Sequence, residues 1–470
     1  MSRVAFSAAM TEQVDIAARR HLIRADGQED LCFALWRPSD GHSRRTALIQ
    51  DLILPQEGER HVHGNVSFAS SFFERALAEA AAAGAGLALL HSHPLGRGWQ
   101  GMSRDDIAAE SGNAGGVRGA TRLPLVGLTI AGNDGAWSAR FWERTAPRRH
   151  ERRDCGTVRV VGDRLRLTFM DHLAPPPRAT AAQVRTISAW GEKKQKDLAR
   201  LRVGIVGAGS VGGFIAESLA RTGFEDVVAI DFDTIEEKNL DRLLYATRKD
   251  VNHMKVEVLA ERLELCATAE RFSVEAAAAA VYEERGFRAA LDCDILFSCV
   301  DRPWGRHVLN LIAYAHLIPV VDGGVAIAQN RRGEISKADW RAHTATIGRP
   351  CLHCLGQYNV GHVQMEREGH LDDPTYIEGL HRRHVLRAGE NVFAFSMACA
   401  SLQNLQMLAL ALAPLDQPNP GSQLYHFVGG FMEEPKFGTC DEGCAFPAMT
   451  AQGDHCGFVV TGARPAVAAR

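Results

Sequence analysis

The sequence predicts an α/β protein with two folding units, a compact α+β unit followed by a doubly wound parallel sheet. Strand-like and helix-like runs alternate through residues 31–142, and a strand, a glycine-rich turn and a helix follow one another over 201–212. Between them, the run Ala174-Pro175-Pro176-Pro177 cannot continue a helix or a central strand and is typical of a stiff linker. We therefore predict a first domain over residues 1–148, a linker with a strand-like segment over 149–182, and a second domain over 183–470.

The length and composition are those of an ordinary globular protein. The 470 residues leave room for about two to four domains, and we predict two. Hydrophobic residues make up 46% and charged residues 23%, which argues against disorder, and the net charge of −3 gives no reason to expect nucleic acid as a partner. No apolar run reaches the roughly 20 residues that span a bilayer, and the N-terminus lacks the apolar core of a signal peptide. We therefore expect a cytoplasmic protein with no membrane partner.

The elements of the first domain follow from hydrophobic periodicity. Alternating or short apolar runs predict strands, and apolar residues at helical spacing predict a helix. The predicted strands run from Leu31 to Trp36, from Thr46 to Leu54, from Leu87 to Leu90, from Leu123 to Ile130 and from Trp137 to Trp142, with a helix from Phe68 to Ala82.

Three metal-ligand side chains and a hydroxyl follow the third of these strands, in His91-Ser92-His93-Pro94, Ser103 and Asp106. Residues two apart on a strand point to the same side, so His91 and His93 can chelate one ion together. Asp106 would be the third ligand, one turn into a helix that begins at Ser103, whose hydroxyl could cap the helix or bind a developing oxyanion. A catalytic zinc ion needs three protein ligands and a position for water. The pattern therefore predicts a hydrolytic zinc centre.

A hydrolytic centre of this kind also needs a general base. We predict Glu29, just ahead of the first strand, for this role, and Glu57 and Glu59 are upstream alternatives. A second pair, His61 and His63, has the same spacing as the first but lacks the following proline and acidic residue. We expect this pair to lie on the surface or in a loop and not to bind metal.

These residues resemble the JAMM/MPN metalloprotease family, whose pattern is an upstream Glu, then His-x-His-Pro, then Ser-x-x-Asp. The resemblance covers roughly residues 20–145, and the gap between Pro94 and Ser103 is one residue longer than usual. It implies a JAMM/MPN domain that cleaves peptide or isopeptide bonds after ubiquitin-like C-termini. The roles it implies are base for Glu29, zinc ligand for His91, His93 and Asp106, and oxyanion stabiliser for Ser103.

In the second domain, a buried strand from Leu201 to Val206 runs directly into Gly207-x-Gly209-x-x-Gly212 at the head of a helix. Glycines let the backbone approach a phosphate, and a helix N-terminus supplies free N–H groups and a favourable dipole. The turn by itself fits an NAD dehydrogenase as well as an ATP site, because Asp231 at the end of the next strand could bind a ribose hydroxyl in either.

The residues that follow distinguish these two alternatives. Asp231-Phe232-Asp233 precedes Asn239-Leu240-Asp241-Arg242, and Lys255 and Asp301 come later, the last at the end of a strand from Ile295 to Val300. A hydride-transfer site has little use for so much phosphate-directed charge, whereas adenylation needs cations on the phosphates and a carboxylate for magnesium. The set therefore favours ATP and Mg²⁺ over NAD.

This pattern resembles the ThiF/MoeB/ubiquitin-activating superfamily of adenylyltransferases, with its Rossmann-like fold, over roughly residues 183–465. Members of this type activate the C-terminal glycine carboxylate of a ubiquitin-like or sulfur-carrier protein, which attacks the α-phosphate of ATP. Arg185 matches the arginine that the family inserts into a partner subunit's site, which implies a homodimer. The nucleotide residues implied are Gly207, Gly209, Gly212 and Asp233, with Asp231 on the ribose, Asn239, Arg242 and Lys255 on the phosphates and Asp301 on the metal.

The chain has 11 cysteines, and in a reducing compartment a clustered set indicates a metal site and not disulfides. Four occur as two pairs, Cys351-x-x-Cys354 and Cys440-x-x-x-Cys444, which would close a four-thiolate structural zinc site. The second pair is one residue longer than the family's usual Cys-x-x-Cys. The alternative is that Cys440 and Cys444 are unliganded loop thiols.

Many activating enzymes of this superfamily carry a nucleophilic cysteine after the first zinc pair, which takes the acyl group as a thioester. The sequence has no cysteine between Gly356 and Asn391. Cys399 follows in an apolar helical run from Phe393 to Leu412, where we expect a buried structural role, and Cys456 is an outside candidate. We therefore expect the enzyme to stop at the adenylate or to pass it to a partner's thiol.

Together, these features predict a bifunctional enzyme of a ubiquitin-like conjugation pathway. The first domain would expose the glycine carboxylate that the second domain adenylates, and a conjugating enzyme would be a further partner. Activation of a sulfur carrier for cofactor or cysteine synthesis is an alternative, as is a first domain that docks the modifier without metal. A dehydrogenase is the last alternative.

Overall fold

The chain divides into two units within the proline run, between Pro175 and Pro176. The first unit consists of the residues up to Pro175 with Ala315–Leu317 and Thr450–Cys456, and the second includes Pro176–Tyr314 and Ile318–Met449. The computed structural model describes residues 4–63, 65–373, 378, 391–434 and 438–456.

The first unit is built on a nine-stranded mixed sheet and a separate two-stranded hairpin. Its strands are β1 (Ala5–Thr11), β2 (Leu31–Asp40), β3 (Arg44–Ile53), β4 (Arg60–His63), β5 (Asn65–Phe68), β6 (Gly86–His93), β7 (Leu125–Ala131), β8 (Trp137–Ala146), β9 (Arg149–Asp154), β10 (Thr157–Val161) and β11 (Leu165–Phe169). Its helices are α1 (Glu12–Leu22), α2 (Ser70–Ala82) and α3 (Arg104–Thr121). All six elements predicted between residues 31 and 142 are present, with ends that shift by a few residues.

Strand β6, which ends in the two histidines, lies inside the large sheet, whose order is β11-β10-β1-β3-β2-β6-β7-β8-β9. It pairs antiparallel with β2 and parallel with β7. Two apolar clusters cover the sheet, one around Trp36, Trp137 and Phe141 and one around Phe33 and Phe72. Neither cluster includes the histidines at the end of β6, so the core of this unit is built from other residues.

Local signals explain where two helices of this unit begin. Thr11 caps α1 by accepting a hydrogen bond from a main-chain N–H of its first turn. Ser103 and Asp106 form a reciprocal capping box at the start of α3. Helix α2 buries one stripe at four-residue spacing, made of Phe72, Ala76 and Ala80.

Much of residues 149–182, which we predicted to be a linker, instead contributes strands to the first sheet. Strand β9 pairs antiparallel with β8, β10 pairs parallel with β1, and β11 pairs antiparallel with β10. The reason is burial, because Val158 and Val160 of β10 lie in the core and extend its apolar layer. The first unit therefore extends to the proline run.

The second unit contains an eight-stranded sheet with helices packed on it. Its strands are β12 (Arg202–Val206), β13 (Asp226–Ile230), β14 (Ser273–Ala277), β15 (Ile295–Ser298), β16 (Val320–Gln329), β17 (Ile335–Ala345), β18 (Gln423–His426) and β19 (Phe431–Met432). Its helices are α4 (Val184–Trp190), α5 (Glu192–Ala199), α6 (Ser210–Thr222), α7 (Lys255–Cys266), α8 (Glu284–Leu291), α9 (Pro303–Ala315), α10 (Val360–Arg367) and α11 (Phe393–Leu412). Short 3₁₀ turns include Ala181–Gln183, Glu237–Asn239, Arg248–Asp250 and His370–Asp372.

The strand order β14-β13-β12-β15-β16-β17-β18-β19 confirms the predicted doubly wound, Rossmann-like sheet. The strands from β14 to β16 are parallel, and β17 to β19 continue the sheet antiparallel. The chain leaves β12 towards β13 on one side and later fills β15 on the other. In such sheets the ligand binds where the order reverses, beyond the carboxyl ends of the strands. The glycine turn after β12 lies at this point.

Helix α11 is 20 residues long with a mean hydropathy of 1.3, and by length and composition alone it could cross a membrane. Our expectation that no run reaches this length was therefore wrong for this segment. A core helix passes the same test, and Gln403 on α11 donates to the main-chain oxygens of Ser298 and Val321 in the sheet. Buried Cys399 and Leu410 on the same helix also point to a core role.

Candidate functional site

The structure brings His91, His93 and Asp106 together in the first unit, and we call these residues the His–His–Asp cluster. Strand β6 carries both histidines on one side, and α3 supplies the carboxylate. The two Nε2 atoms lie 3.3 Å apart. Asp106 Oδ1 lies 3.5 Å from His91 Nε2, and Asp106 Oδ2 lies 3.5 Å from His93 Nε2. One donor atom from each residue lies within 4.8 Å of the others. This donor set has the composition and spacing of a three-ligand zinc site.

Ser103 and Asp106 hold each other in place at the start of α3. The Asp106 carboxylate accepts the Ser103 main-chain N–H at 2.7 Å, and Ser103 Oγ accepts the Asp106 N–H at 3.1 Å. The capping bond uses a lone pair of the Ser103 hydroxyl and leaves its proton for donation. The two roles considered for Ser103, helix cap and oxyanion donor, are therefore compatible.

Glu29 is half-buried just before β2, whose first residue lies opposite His91 in the sheet. Burial raises the pKa of the Glu29 carboxyl, while His93 and His91 act to lower it and Asp106 adds to the rise. Glu29 therefore lies within electrostatic range of the whole His–His–Asp cluster. Of the alternatives, Glu59 is bound to Arg75 at 2.6 Å and Glu57 is exposed.

Asp30, the residue next to Glu29, is fixed by several bonds. Its carboxylate is buried with Arg24 at 3.4 Å and with Arg60, and its main-chain N–H donates to Ser92 Oγ at 3.0 Å. Because Ser92 stands between the two histidines on β6, this bond links the base candidate to the strand that carries the ligands.

The second histidine pair lies on strand β4 of the hairpin. His61 and His63 are both exposed, and His63 Nε2 lies 3.3 Å from Ser67 Oγ across the hairpin. Among the described residues, neither belongs to a group with metal-compatible geometry.

Sequence reasoning missed a second layer of polar residues beneath the His–His–Asp cluster. Thr129 Oγ1 lies 3.3 Å from His91 Nε2 and accepts a bond from Arg140 at 2.6 Å. Arg140 also forms a buried ion pair with Glu110, one turn after Asp106 on α3. No local motif identifies these residues. The available signal was the charge of Arg140 in a mostly apolar predicted strand, which indicates a buried partner of opposite charge.

The Glu110–Arg140 pair gives a stability prediction for the first unit. Replacing Glu110 by glutamine leaves the Arg140 charge buried without its counter-ion, so we expect the free energy of unfolding to fall by about 3 kcal/mol. Urea denaturation of the full chain measures this change. Glu151→Gln, which removes the exposed pair with Arg149, is the control and should cost at most about 1 kcal/mol. Equal losses in the two variants would contradict the prediction.

In the second unit, the glycine turn is shaped by close contacts. Gly207 has φ +98°, and a side-chain carbon there would lie 2.6 Å from the Cys299 carbonyl oxygen. A side-chain carbon at Gly212 would collide with the Gly207 carbonyl oxygen, whereas one at Gly209 would have open space. Gly209 precedes α6, whose N-terminus faces this space.

These contacts predict different effects for two similar substitutions. Gly212→Ala should lower the free energy of unfolding by about 1–3 kcal/mol, because the added methyl group must displace backbone. Gly209→Ala, whose methyl group meets nothing within 4 Å, should cost less stability than Gly212→Ala, and it should weaken ATP binding if this space receives phosphate as the sequence predicts. Thermal unfolding and ATP titration of both variants test this contrast, and the reverse pattern would overturn it.

Asp231 ties the glycine turn to the next loop. Its two carboxylate oxygens accept the Ala208 and Asp233 main-chain N–H groups, both at 2.7 Å. Burial raises the pKa of Asp231 to about 6, against the opposing charge of Lys255. Tyr245, which the sequence did not suggest, donates its hydroxyl to the Ala208 carbonyl and braces the same turn.

Lys255 lies at the start of α7 with its ammonium nitrogen 2.8 Å from Asp233. Burial alone would lower the pKa of Lys255, but Asp231 and Asp233 raise it and Asp301 adds to the rise. The four side chains are therefore gathered beyond the carboxyl ends of β13 and β15. We call Asp231, Asp233, Lys255 and Asp301 the carboxylate–lysine cluster.

The remaining predicted nucleotide residues make local bonds. Asn239 is buried and its side-chain oxygen accepts the Glu236 N–H at 3.0 Å. Arg242 donates to the Lys238 carbonyl at 2.6 Å and pairs with its neighbour Asp241. Their phosphate roles stay predictions. Arg185 is exposed on α4, and its insertion into a partner's site also stays a prediction.

Cys351, Cys354, Cys440 and Cys444 come together with their sulfur atoms within 4.8 Å of one another, and we call them the four-cysteine cluster. Main-chain N–H groups donate to these sulfurs: Cys351 N to Cys440 at 3.3 Å, and Cys354 N to Cys351 and Asp441 N to Cys354 at 3.4 Å. The longer second spacing therefore still closes the set. N–H bonds to sulfur favour thiolates, which are the form that binds zinc.

Cys399 has the environment of a structural cysteine. It is fully buried on α11, its thiol contacts the Arg341 carbonyl at 3.6 Å, and burial raises the pKa of its thiol to about 12. A thiol with so high a pKa is a poor nucleophile. Cys456 is partly exposed at the end of the described chain.

The ThiF family model matches residues 180–441, nearly all of which lie in the second unit. The adenylyltransferase and sulfurtransferase UBA4 of Yarrowia lipolytica is 31% identical over 36% of this chain and 40% of that protein. The molybdopterin-synthase adenylyltransferase of Escherichia coli is 28% identical over 35% of this chain and 61% of that protein. The chain thus covers less than two thirds of both relatives.

Among solved structures, E. coli MccB with AMPCPP and MccA is similar over 57% of this chain and 75% of that chain. The identity is 17% and the TM-score is 0.44.

Proposed function

Because the chain belongs to the ThiF family, we propose that its second unit adenylates the C-terminal glycine of a ubiquitin-like or sulfur-carrier protein with ATP and Mg²⁺. We further propose that the first unit is a zinc-dependent peptidase or isopeptidase that acts on such C-termini. The observation that carries the adenylation proposal is the carboxylate–lysine cluster beyond the glycine turn, at the reversal point of the sheet.

In the proposed reaction, a carboxylate oxygen of the modifier bonds to the α-phosphorus of ATP. The bond from that phosphorus to the bridging oxygen breaks, and pyrophosphate leaves with the electron pair. Gly207 and Gly209 let the backbone approach the phosphates at the N-terminus of α6. Lys255 offsets the charge that develops on the phosphate oxygens.

The other side chains bind and orient the nucleotide. Asp231 would hold the ribose and Asp233 would keep Lys255 in place. Asn239 and Arg242 would contact the phosphates, and the exposed carboxylate of Asp301 fits a hard oxygen-preferring ion such as Mg²⁺. A buried lysine among carboxylates supports ATP over a nicotinamide cofactor, because hydride transfer needs no phosphate-neutralising cation.

The His–His–Asp cluster fits zinc, since two imidazole nitrogens and a carboxylate converge on one point and would be stabilised by a shared cation. Zinc, when bound, lowers the pKa of water and polarises the scissile carbonyl. Glu29 would take the proton from the attacking water and return it to the departing amine. The Ser103 hydroxyl would donate to the oxyanion.

The four-cysteine cluster fits a structural zinc ion, since four sulfur atoms converge within 4.8 Å of one another and three of them, those of Cys351, Cys354 and Cys440, accept main-chain N–H bonds. A dimer in which Arg185 reaches the partner subunit would complete the adenylation site, and gel filtration of the full chain tests for it.

Sulfur-carrier activation is the second candidate function, and two of the relatives, an adenylyltransferase and sulfurtransferase and a molybdopterin-synthase adenylyltransferase, favour it. The two candidates share the adenylation step and differ in what receives the activated carboxylate. Supplying the adenylate with a conjugating enzyme or with a sulfur donor, and analysing the modifier by mass spectrometry, distinguishes a thioester or amide from a thiocarboxylate.

The adenylation step is tested by incubating the full chain with ATP, Mg²⁺, labelled pyrophosphate and small proteins that end in Gly-Gly. We expect label to enter ATP only when such a protein is present. A matched protein with its terminal glycine replaced by alanine or removed is the control. If label enters ATP with none of the Gly-Gly proteins, or equally with the control, the proposed substrate class is wrong.

A further inference from the structure

The loop between β15 and α9, which carries Asp301, is held in place by α10 and the turn that follows it. No sequence motif linked this segment to catalysis. Glu366 on α10 accepts the main-chain N–H of Trp304 at 2.8 Å. Asp372, five residues after α10 ends, accepts a bond from the Arg302 guanidinium at 2.6 Å. Both bonds fall within three residues of Asp301. We call residues 360–372 the α10 brace.

Glu366 accepts a hydrogen bond from a main-chain N–H at the N-terminus of α9. Trp304 is the second residue of α9, where a main-chain N–H has no partner within its own helix. A carboxylate at this position both accepts the free N–H and interacts favourably with the helix dipole. Glu366 therefore fixes the first turn of α9 and the direction in which the chain enters it.

The environment of Glu366 is costly for a carboxyl group. Its side chain is 2% exposed, and its other oxygen, Oε1, makes no hydrogen bond in the described part of the chain. Burial raises the pKa of Glu366 to about 7, and the charges of Asp301 and Asp372 contribute to the rise, while the Trp304 N–H bond and Arg302 oppose it. Leaving one oxygen of a buried carboxyl without a hydrogen bond lowers the stability of the fold.

The segment just before the α10 brace contacts α9 at a second point. The Tyr358 hydroxyl, just before α10, lies 3.0 Å from His307 Nδ1 and 3.2 Å from Asn310 Nδ2. Asn310 in turn accepts the main-chain N–H of Leu352, between the first two cysteines of the four-cysteine cluster, at 2.9 Å. Helix α9 is thus held at its first turn by Glu366 and about two turns later by the segment that precedes α10.

We propose that Glu366 is a positioning residue for the adenylation reaction, fixing the first turn of α9 so that the Asp301 carboxylate stays directed at the site of the ATP-bound magnesium ion. The inference rests on the proposed function of the second unit. Glu366 acts through the main chain of Trp304 and not by contact with the nucleotide. Its removal should therefore weaken the magnesium-dependent part of ATP binding and leave the rest.

The test is calorimetric titration of the full chain with ATP, once with Mg²⁺ and once with EDTA. Glu366→Ala should raise the Kd for ATP in Mg²⁺ by about tenfold, the effect of losing one capping bond, with the Kd in EDTA unchanged. Glu366→Gln keeps an oxygen that can accept the Trp304 N–H, so it should bind like the wild type. Glu368→Ala, an exposed glutamate next to the same helix, is the matched control.

Equal weakening in Mg²⁺ and EDTA, or no weakening at all, would overturn the positioning role. A Gln variant that behaves like the Ala variant would overturn it as well. If Glu366→Ala does not fold, Asp372→Ala must show the selective loss, because it removes the other bond to the same loop. A wild-type chain whose ATP affinity does not respond to Mg²⁺ would contradict the proposed function itself, which separates the two failures.

Discussion

Lys255→Ala is expected to lower the rate of modifier-dependent ATP–pyrophosphate exchange by about 10³-fold or more. The Lys255 ammonium group is buried at the start of α7, and the surrounding carboxylates raise its pKa, so it is fully charged at neutral pH. A preorganised cation in a buried site stabilises developing phosphate charge far more than a solvated one does. Alanine removes this charge and leaves Asp231 and Asp233 to repel the phosphates.

Lys249→Ala is the control for this prediction, because Lys249 is an exposed lysine a few residues earlier in the same unit. It should exchange at the wild-type rate. Lys255→Ala also removes the bond to Asp233, which contributes to the local structure. Circular dichroism is therefore needed as a check, and it should show that both variants are folded. Exchange by Lys255→Ala within a few-fold of wild type would mean that the phosphates bind elsewhere.

His91→Ala is expected to remove about one zinc ion per chain and to abolish hydrolysis by the first unit. In the proposed site His91 would be one of three ligands, and its Nε2 lies 3.3 Å from His93 Nε2 and 3.5 Å from the Asp106 carboxylate. With two ligands left, a catalytic zinc site is incomplete. Zinc content of the full chain, measured by elemental analysis after gel filtration, should fall from about two ions to about one, with the four-cysteine cluster retaining the other.

His61→Ala provides the comparison, because it removes a histidine of the exposed pair with the same spacing. It should keep both zinc ions and full hydrolysis of a modifier fusion. His91→Ala should catalyse pyrophosphate exchange at the wild-type rate, since the residues proposed for adenylation lie in the second unit. Unchanged zinc in His91→Ala would show that the first unit holds no metal at this cluster and would favour a docking role.

The grouping of His91, His93 and Asp106 could be predicted because it depends on short-range rules. Alternation along a strand places His91 and His93 on one side, and a capping pattern places Asp106 one turn into the next helix. Strand–turn–helix patterning likewise predicted the parallel sheet and the location of Asp231 at a strand end.

Features that depend on contacts between distant segments could not be predicted. The strand β10 has the composition of many short apolar segments, and its parallel pairing with β1 and antiparallel pairing with β11 show that it belongs to the first sheet. The Glu110–Arg140 pair joins α3 to β8, and the bond from the Trp304 N–H to Glu366 joins residues 62 positions apart. No local motif identifies the partner of either member in these pairs.

The bonding partners of Asn239 and Arg242 could not be predicted either. Their spacing matches the nucleotide pattern, yet both side chains are engaged with nearby main-chain groups of the same turn. A spacing rule identifies which residues are present and not which of several available partners they bind.

The two apolar clusters of the first unit are built without His91, His93 or Asp106. Substituting these three residues should therefore inactivate the first unit without unfolding it. Such a variant of the full chain is suited to substrate trapping. If the first unit is the proposed peptidase, a chain with a substituted His–His–Asp cluster should retain an uncleaved modifier fusion long enough to be isolated with it, and so reveal which cellular proteins carry the modification.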